Sequence, residues 1–434
     1  MRKKLIFSSI TCLLLISLAF GACTTEEEVN TIKIGVIGPM TYVQGEHHWY
    51  GATMARDEIN DAGGITVDGK DYTIELIKTD SNEMLSPTDA AAAMERLITV
   101  DKADFVIGGF RTEAVFAMQD VAMDYETIFL GCGAATEELC TRVADDYDTY
   151  KYWFRITPFC NVNLVNNSLM TLGTAGAIMQ AGLGLEGSLK VAILAEQAEW
   201  ADAMVAAYEA YVPVMLGMEV VGTWRPSATA TDVTAELTAI EDSGAHLILT
   251  IISGPVGIPY ARQLGELEIP AASVGINVEA QKDGFWDATE GYGNYETTLN
   301  TYAEGVALTE KTNAFFEAFV DEYGETPTYT AGTYDAIYTL VEAIERADTL
   351  DTDALVTELE KTDRKGAGAR LVFMGTDTDT PHDVTYGPGY ATGIATQWQD
   401  GEMKAVWPWD WDGLTYEGTV MWQIPDRVIN KYTQ

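Results

Sequence analysis

The residues best placed for chemistry stand at the ends of short apolar runs. Gly38-Pro39-Met40-Thr41-Tyr42-Val43-Gln44-Gly45 follows the first run. Gly108-Gly109-Phe110-Arg111-Thr112 and Gly131-Cys132-Gly133-Ala134-Ala135-Thr136-Glu137-Glu138 follow two others. Two of these loops bring a threonine, Thr112 or Thr136, to an expected helix start. A helix N-terminus offers free N–H groups and the positive end of a dipole, and a hydroxyl adds one more donor. That arrangement suits a small carboxylate. Taken alone, the two threonines read more readily as ordinary N-caps.

Other chemistries find little support. His47 and His48 are neighbours, with no cysteine or third histidine close by, and sequential side chains on an extended chain point apart. No Cys-x-x-Cys occurs, so no metal site is expected. No Gly-x-Ser-x-Gly elbow occurs, and four histidines offer no convincing triad, so no enzyme is expected. Gly182-Leu-Gly184-Leu-Glu-Gly187 fits a phosphate-binding pattern, but that motif must follow a strand and open a helix. Here it follows a helical run and precedes a strand, and it reads as a helix stop and turn. No cofactor is expected.

The charge balance narrows the partners. The chain has 66 acidic and 26 basic residues, a net charge of −40. Nucleic acid and anionic lipid both require a basic patch, so neither is expected. Hydrophobic residues make up 47%, which marks a globular chain long enough for two domains.

The first residues are Met-Arg-Lys-Lys, followed by an apolar run from Leu5 to Phe20. A basic head with a short apolar core is an export signal, too short for a confident membrane span. Phe20-Gly21-Ala22-Cys23 resembles the lipobox of bacterial lipoproteins, which implies cleavage after residue 22 and lipidation of Cys23. Ala19-Phe20-Gly21 also suits plain secretory cleavage. Residues 23–30, with Thr24-Thr25-Glu26-Glu27-Glu28, read as a polar tether. The body is expected outside the cytoplasm, lipid-anchored on the outer face of the membrane or periplasmic. Cys132, Cys140 and Cys160 then allow one disulfide and one free thiol, in a pairing left open.

The elements that must position these loops alternate between buried strands and amphipathic helices. Strands are predicted at Ile32–Gly38, Tyr72–Lys78, Phe105–Gly108, Thr127–Leu130 and Trp153–Thr157, and helices near Tyr50–Asp61, Pro87–Val100 and Thr112–Asp124. The rhythm restarts with strands at Lys190–Leu194, Glu219–Val221, His246–Thr250 and Ala272–Gly275. Helices are predicted between them near Ala198–Tyr211, Thr231–Asp242 and Gly257–Leu267. Further helices are predicted at Thr312–Tyr323, Thr330–Ala347 and Thr352–Lys361, with a strand and turn at Gln397–Gly401. Short apolar strands separated by helices mean parallel sheets covered on both faces, here in two similar α/β lobes.

At this point the residues resemble a known family. Ile32-Lys-Ile-Gly-Val-Ile-Gly-Pro-Met40, Gly51-Ala52 and Asn60-Asp-Ala-Gly-Gly-Ile65 look like the opening of the branched-chain amino acid binding proteins of ABC importers. Val106-Ile-Gly-Gly109, Gly133-Ala134, Trp153-Phe-Arg-Ile-Thr-Pro158, Thr333-Tyr-Asp-Ala336 and Gln397-Trp398 continue it in order. The resemblance implies the type I periplasmic-binding-protein fold: two Rossmann-like lobes with parallel sheets, joined by three crossovers and closing on a ligand. The lobes are expected at residues 31–158 plus 302–375 and at 159–301 plus 376–434.

By the same resemblance, the carboxylate-binding hydroxyl falls on Thr112, beside Phe110 and Arg111. The next loop contributes Gly133, Ala134 and Thr136, and Gln44 joins the candidates by its place in the loop after the first strand. Trp200 is the capping aromatic of the second lobe, and Ser253 lies in its polar loop. The family's acidic residue for an ammonium group falls on Asn277, so either Glu279 takes that role or the ligand is not an α-amino acid. Arg111 fits a more acidic ligand, or a surface pair with Glu113. The expected function is a monomeric solute-binding lipoprotein that delivers a small amino acid or related polar metabolite to ABC permease and ATPase subunits. Alternatives are an amide, urea-like or small-carboxylate binder of the same fold, a receptor's sensing module, or a secreted hydrolase.

Overall fold

The computed structural model describes residues 30–433. The expected signal, Cys23 and nearly all of the tether lie outside the described residues. Asn30, the last residue assigned to the tether, already belongs to the first strand.

Six strands form the first sheet: β1 Asn30–Gly38, β2 Ile65–Val67, β3 Lys70–Asp80, β4 Phe105–Gly108, β5 Phe129–Gly131 and β6 Trp153–Arg155. Their order is β2-β3-β1-β4-β5-β6, parallel except for the edge strand β2. Ile32, Ile34, Val36 and Ile37 of β1 are fully buried, because helices cover both faces of a parallel sheet and leave no polar alternation. Helices α1 Val43–Asp61, α2 Pro87–Thr99, α3 Thr112–Asp124, α4 Glu138–Asp145 and α5 Tyr147–Tyr150 accompany this sheet. Helix α2 shows why such segments start where they do. Pro87 presets its first turn, and the Ser86 hydroxyl accepts the Asp89 N–H at 3.2 Å.

Helix α6, Asn161–Leu183, leads into the second sheet. It ends at Gly184, whose φ of 64° stops the helix, and Gly187 turns the chain at φ 84°, so the phosphate-like glycine pattern is indeed a stop and turn. The next strands are β7 Lys190–Ala195, β8 Glu219–Trp224, β9 Leu247–Ile252, β10 Ala272–Asn277 and β11 Thr297–Asn300. Among them lie α7 Glu199–Leu216, α8 Thr234–Asp242, α9 Gly257–Glu266 and the short α10 Phe285–Ala288. The chain then returns to the first lobe as α11 Thr312–Tyr323, α12 Thr333–Ala347 and α13 Thr352–Leu359, with α11 and α12 packed on α1. A small hairpin follows, β12 Asp363–Lys365 with β13 Arg370–Val372. Finally β14 Ile394–Gln399 and β15 Glu402–Trp407 join the second sheet antiparallel, giving the order β15-β14-β11-β10-β9-β7-β8, and α14 Asp426–Tyr432 closes the described chain.

The chain therefore passes between the sheets three times: after β6, after β11 and before β14. Two similar α/β lobes result, as the sequence rhythm implies. The structure also corrects that reading. Helix α1 starts at Val43, seven residues earlier than expected, so Gln44 lies in its first turn rather than in a loop. Cys132, Cys140 and Cys160 are all buried free thiols, so none of the allowed disulfides is present among them.

Candidate functional site

The carboxyl ends of both sheets face one cleft, as ligand sites in open α/β sheets do. On the first lobe the key turn is Gly108–Thr112. Gly108 has φ 117°, and a Cβ there would stand 2.1 Å from the Ile37 carbonyl, so only glycine lets β4 pass β1 at this point. Glu83, just beyond β3, then fixes the turn. Its Oε2 accepts the N–H groups of Phe110 at 2.8 Å and Arg111 at 2.7 Å, and its Oε1 accepts the Ser81 hydroxyl at 2.8 Å. Burial pushes the Glu83 carboxyl up to about 7, against the downward pull of those donors and of Arg111. Held this way, Arg111 is the N-cap residue of α3 and Thr112 its first residue, and no side chain caps that helix end.

On the second lobe the corresponding hub is Glu196, fully buried at the end of β7. It accepts Trp200 Nε1–H at 2.9 Å, the Ser253 N–H at 3.0 Å, the Gly254 N–H at 2.7 Å and the Ser253 hydroxyl. Glu196 thus sets the positions of Trp200 and Ser253. Arg111 reaches across the cleft to this hub. Its Nη1 lies 3.5 Å from Glu196 Oε1 and 3.5 Å from Ser253 Oγ, while its Nη2 lies 3.6 Å from Glu113.

Between the lobes lies a cavity with mostly apolar walls. Phe110, Pro158, Phe159, Leu164, Trp200, Ile276, Val278 and Leu299 line it. Phe110 and Tyr329 stack at a centroid distance of 6.4 Å. Polar groups reach the wall from Arg111, Thr112, Ser253, Gln281, Asn300 and Thr301, and backbone from Gly133 and Ala135.

Six of the residues singled out in the sequence therefore meet at this wall: Phe110, Arg111, Thr112, Gly133, Trp200 and Ser253. Five stand outside it, each for a physical reason. Gln44 is buried within α1. The carbonyls of Ala134 and Thr136 both accept from the Arg155 guanidinium, itself buried and paired with Asp383 at 2.9 Å. Asn277 is buried in the second lobe, its amide donating to Gly257 O at 3.2 Å and Glu296 Oε1 at 3.1 Å. Glu279 pairs with Lys282 at 2.7 Å. Its side chain stays with its own lobe. His47 and His48 are likewise engaged separately. His47 bonds Glu325 and Thr328, and His48 donates to the Cys132 carbonyl.

Glu83, Glu196, Gln281 and Tyr329 escaped the sequence reading. The first two follow strand ends, and the strand-end rule would have found them had it been applied after β3 and β7. Gln281 and Tyr329 sit on short 3₁₀ turns, which leave no periodic signal.

A family model described as periplasmic binding protein matches residues 31–387. The Leu/Ile/Val-binding protein homolog 7 of Brucella abortus (strain 2308) is 22% identical over 421 residues, covering 94% of this chain and 97% of that protein. Two solved structures share the fold. The branched-chain amino acid transporter substrate binding protein of Streptococcus pneumoniae, in complex with isoleucine, aligns with TM-score 0.70 and 20% identity over 87% of this chain and all of that one. A solute binding protein of an ABC transporter from R. palustris, in complex with benzoate, aligns with TM-score 0.68 and 16% identity over 90% of this chain and 99% of that one. With its two-sheet architecture, its interlobe cavity and a family match that runs from β1 to beyond the small hairpin, the chain belongs to the periplasmic binding protein family.

Proposed function

We propose that this chain is the extracytoplasmic solute-binding component of an ABC importer, and that its ligand is a small organic acid with an apolar body and no ammonium group. The observation that carries the ligand class is the contrast between the cavity's two kinds of polar partner. Arg111 and Thr112 offer donors to a carboxylate, and a guanidinium can hold one through two parallel bonds. Among the described residues, no free carboxylate meets the cavity to receive an ammonium: the Ala134 carbonyl is taken by Arg155 and Glu279 by Lys282, Asn277 is held off the wall by its amide's bonds to Gly257 and Glu296, and the unpartnered Gln281 Oε1 at the wall carries no charge. Glu196 already accepts from Trp200, Ser253 and Gly254. A buried ammonium without a carboxylate costs on the order of several kcal/mol. The aromatic walls of Phe110, Tyr329 and Trp200 suit a flat or branched apolar body.

In this reading the lobes, 31–158 with 302–375 and 159–301 with 376–434, close on the acid and present it to permease and ATPase subunits. Cys23 serves as the lipid anchor, and no bond is made or broken. Calorimetric titration with benzoate, leucine and leucinamide tests the ligand class. Saturable benzoate binding with no leucine heat is expected. Tight leucine binding would instead return the ligand to the amino acids named for the Brucella relative.

A further inference from the structure

Helix α7 starts without a cap of its own. Its N-cap residue is Ala198, which has no side-chain acceptor. The first N–H of the helix, that of Glu199, is instead taken by Glu113 Oε1 at 3.1 Å. Glu113 belongs to α3 on the opposite lobe, so the cap crosses the cleft. The same carboxylate oxygen faces Arg111 Nη2 at 3.6 Å. Trp200, the next residue of α7, lines the cavity and is 9% exposed. One carboxylate thus joins the turn that carries Arg111 to the helix end that carries Trp200.

We propose that Glu113 is a positioning residue for ligand binding. It touches no ligand, yet it caps α7 from the other lobe and so holds the Trp200 wall against the Arg111 wall. A carboxylate at a helix N-terminus is favourable both as an acceptor and as a charge. This contact exists only when the lobes meet, so its contribution enters the closing equilibrium and the apparent affinity rather than the stability of either lobe. Neighbouring charges do not duplicate it. Glu199 and Asp202 lie in the first turn of α7 and are acidic themselves.

The test uses the full chain and two substitutions, Glu113→Ala and Ala198→Ser, the second supplying an ordinary cap from within the second lobe. Hydrogen–deuterium exchange should be slow at Glu199–Ala201 in the native protein and faster in Glu113→Ala, with α3 unchanged. Equal exchange in the two proteins would overturn the cross-cleft cap. Benzoate, the probe chosen from the ligand class proposed above, should bind Glu113→Ala about tenfold more weakly. Adding Ala198→Ser to Glu113→Ala should restore slow exchange at Trp200 and Ala201, the amides an N-cap hydroxyl reaches, without restoring affinity. Recovery of both would mean that Glu113 is only a local helix cap, and would also overturn the proposal. If the native protein fails to bind benzoate, the ligand class falls, while the exchange result still judges the cap.

Discussion

Arg111 brings the cavity's positive charge, and it is held loosely: its partners Glu196, Ser253 and Glu113 lie 3.5–3.6 Å away. A guanidinium so placed can turn to a carboxylate without first breaking a tight pair. Arg111→Gln should therefore weaken benzoate binding by about 1.5–3 kcal/mol, roughly tenfold to a hundredfold. Glu279→Gln should leave it within about twofold, because the lost partner is Lys282 of its own lobe and Glu279 does not line the cavity. Calorimetry on the two variants decides; a large loss in Glu279→Gln would place that carboxylate in the site after all. Glu83 gives a pH prediction. Its folded carboxyl titrates near 7 against 4.5 for an ordinary one, because it is buried. Below about pH 4.5 the proton is bound in both folded and unfolded chains, and nothing is lost. Between about 4.5 and 7 the unfolded chain releases it more readily, so this group's contribution to stability falls as pH rises, by about 3 kcal/mol in all. Glu83→Gln keeps an acceptor for Phe110 and Arg111 and has no proton to lose. Its thermal midpoint should drop less than that of the native protein between pH 5 and 7.5. Parallel curves would show that Glu83 is ionised throughout.

The elements carry their own constraint at Gly133. A Cβ there would stand 2.1 Å from Gly109 O and 2.6 Å from Phe110 Cα, both backbone atoms of the facing loop. Neither can yield without moving the turn that Glu83 fixes. Gly133→Ala should cost about 3 kcal/mol and loosen benzoate binding as well, read by thermal unfolding and titration together. The apolar strands were legible in the sequence because a parallel sheet buried on both faces needs continuous runs such as Leu-Ile-Leu-Thr-Ile-Ile in β9. Strand β11 was not, since Thr297-Thr298-Leu299-Asn300 is mostly polar. Its hydroxyls are satisfied inside the sheet, as where Thr298 donates to the Asn277 carbonyl at 2.9 Å. Helix α1 was placed late because its first two turns hold Gln44, Gly45 and two histidines, residues that give no apolar stripe although Gln44, Gly45, His47 and His48 are all buried. The walls of the site were legible for the same reason as the strands: they lie just past strand ends. The engaged state of Asn277 and Glu279 was not, because it depends on Glu296 and Lys282, whose contacts no spacing rule announces.

At the scale of the whole molecule, a net charge of −40 acts against compactness. Carboxylates also meet at the cleft rim: burial raises the Glu199 carboxyl above its ordinary range, and the charges of Glu113 and Glu138 on the other lobe raise it further. Salt shortens the reach of such repulsion to ~3 Å at 1 M. Raising sodium chloride from about 0.05 M to 1 M should therefore raise the thermal midpoint, by about 1–2.5 °C for a change of roughly 1–2 kcal/mol in a chain of this size. A midpoint that falls or stays level would mean that the scattered ion pairs, which salt weakens, outweigh the excess charge. Benzoate affinity should tolerate salt better than a surface contact would, since Arg111 is only 14% exposed.

The return of the chain to its second sheet has a consequence for how the protein is made. Strand β11 ends at Asn300, but its neighbour β14 begins only at Ile394, and α14 then fastens Arg427 to the carbonyls of Ile269 and Ala271. During vectorial export the first sheet can assemble from one continuous stretch, whereas the second keeps a bare edge until Ile394–Gln399 has crossed. A bare edge is a template for pairing with another chain. Chains halted before Ile394 should therefore stick to one another or fall to proteolysis, and completion of the second sheet by β14, rather than folding of the first lobe, would mark the point of safety.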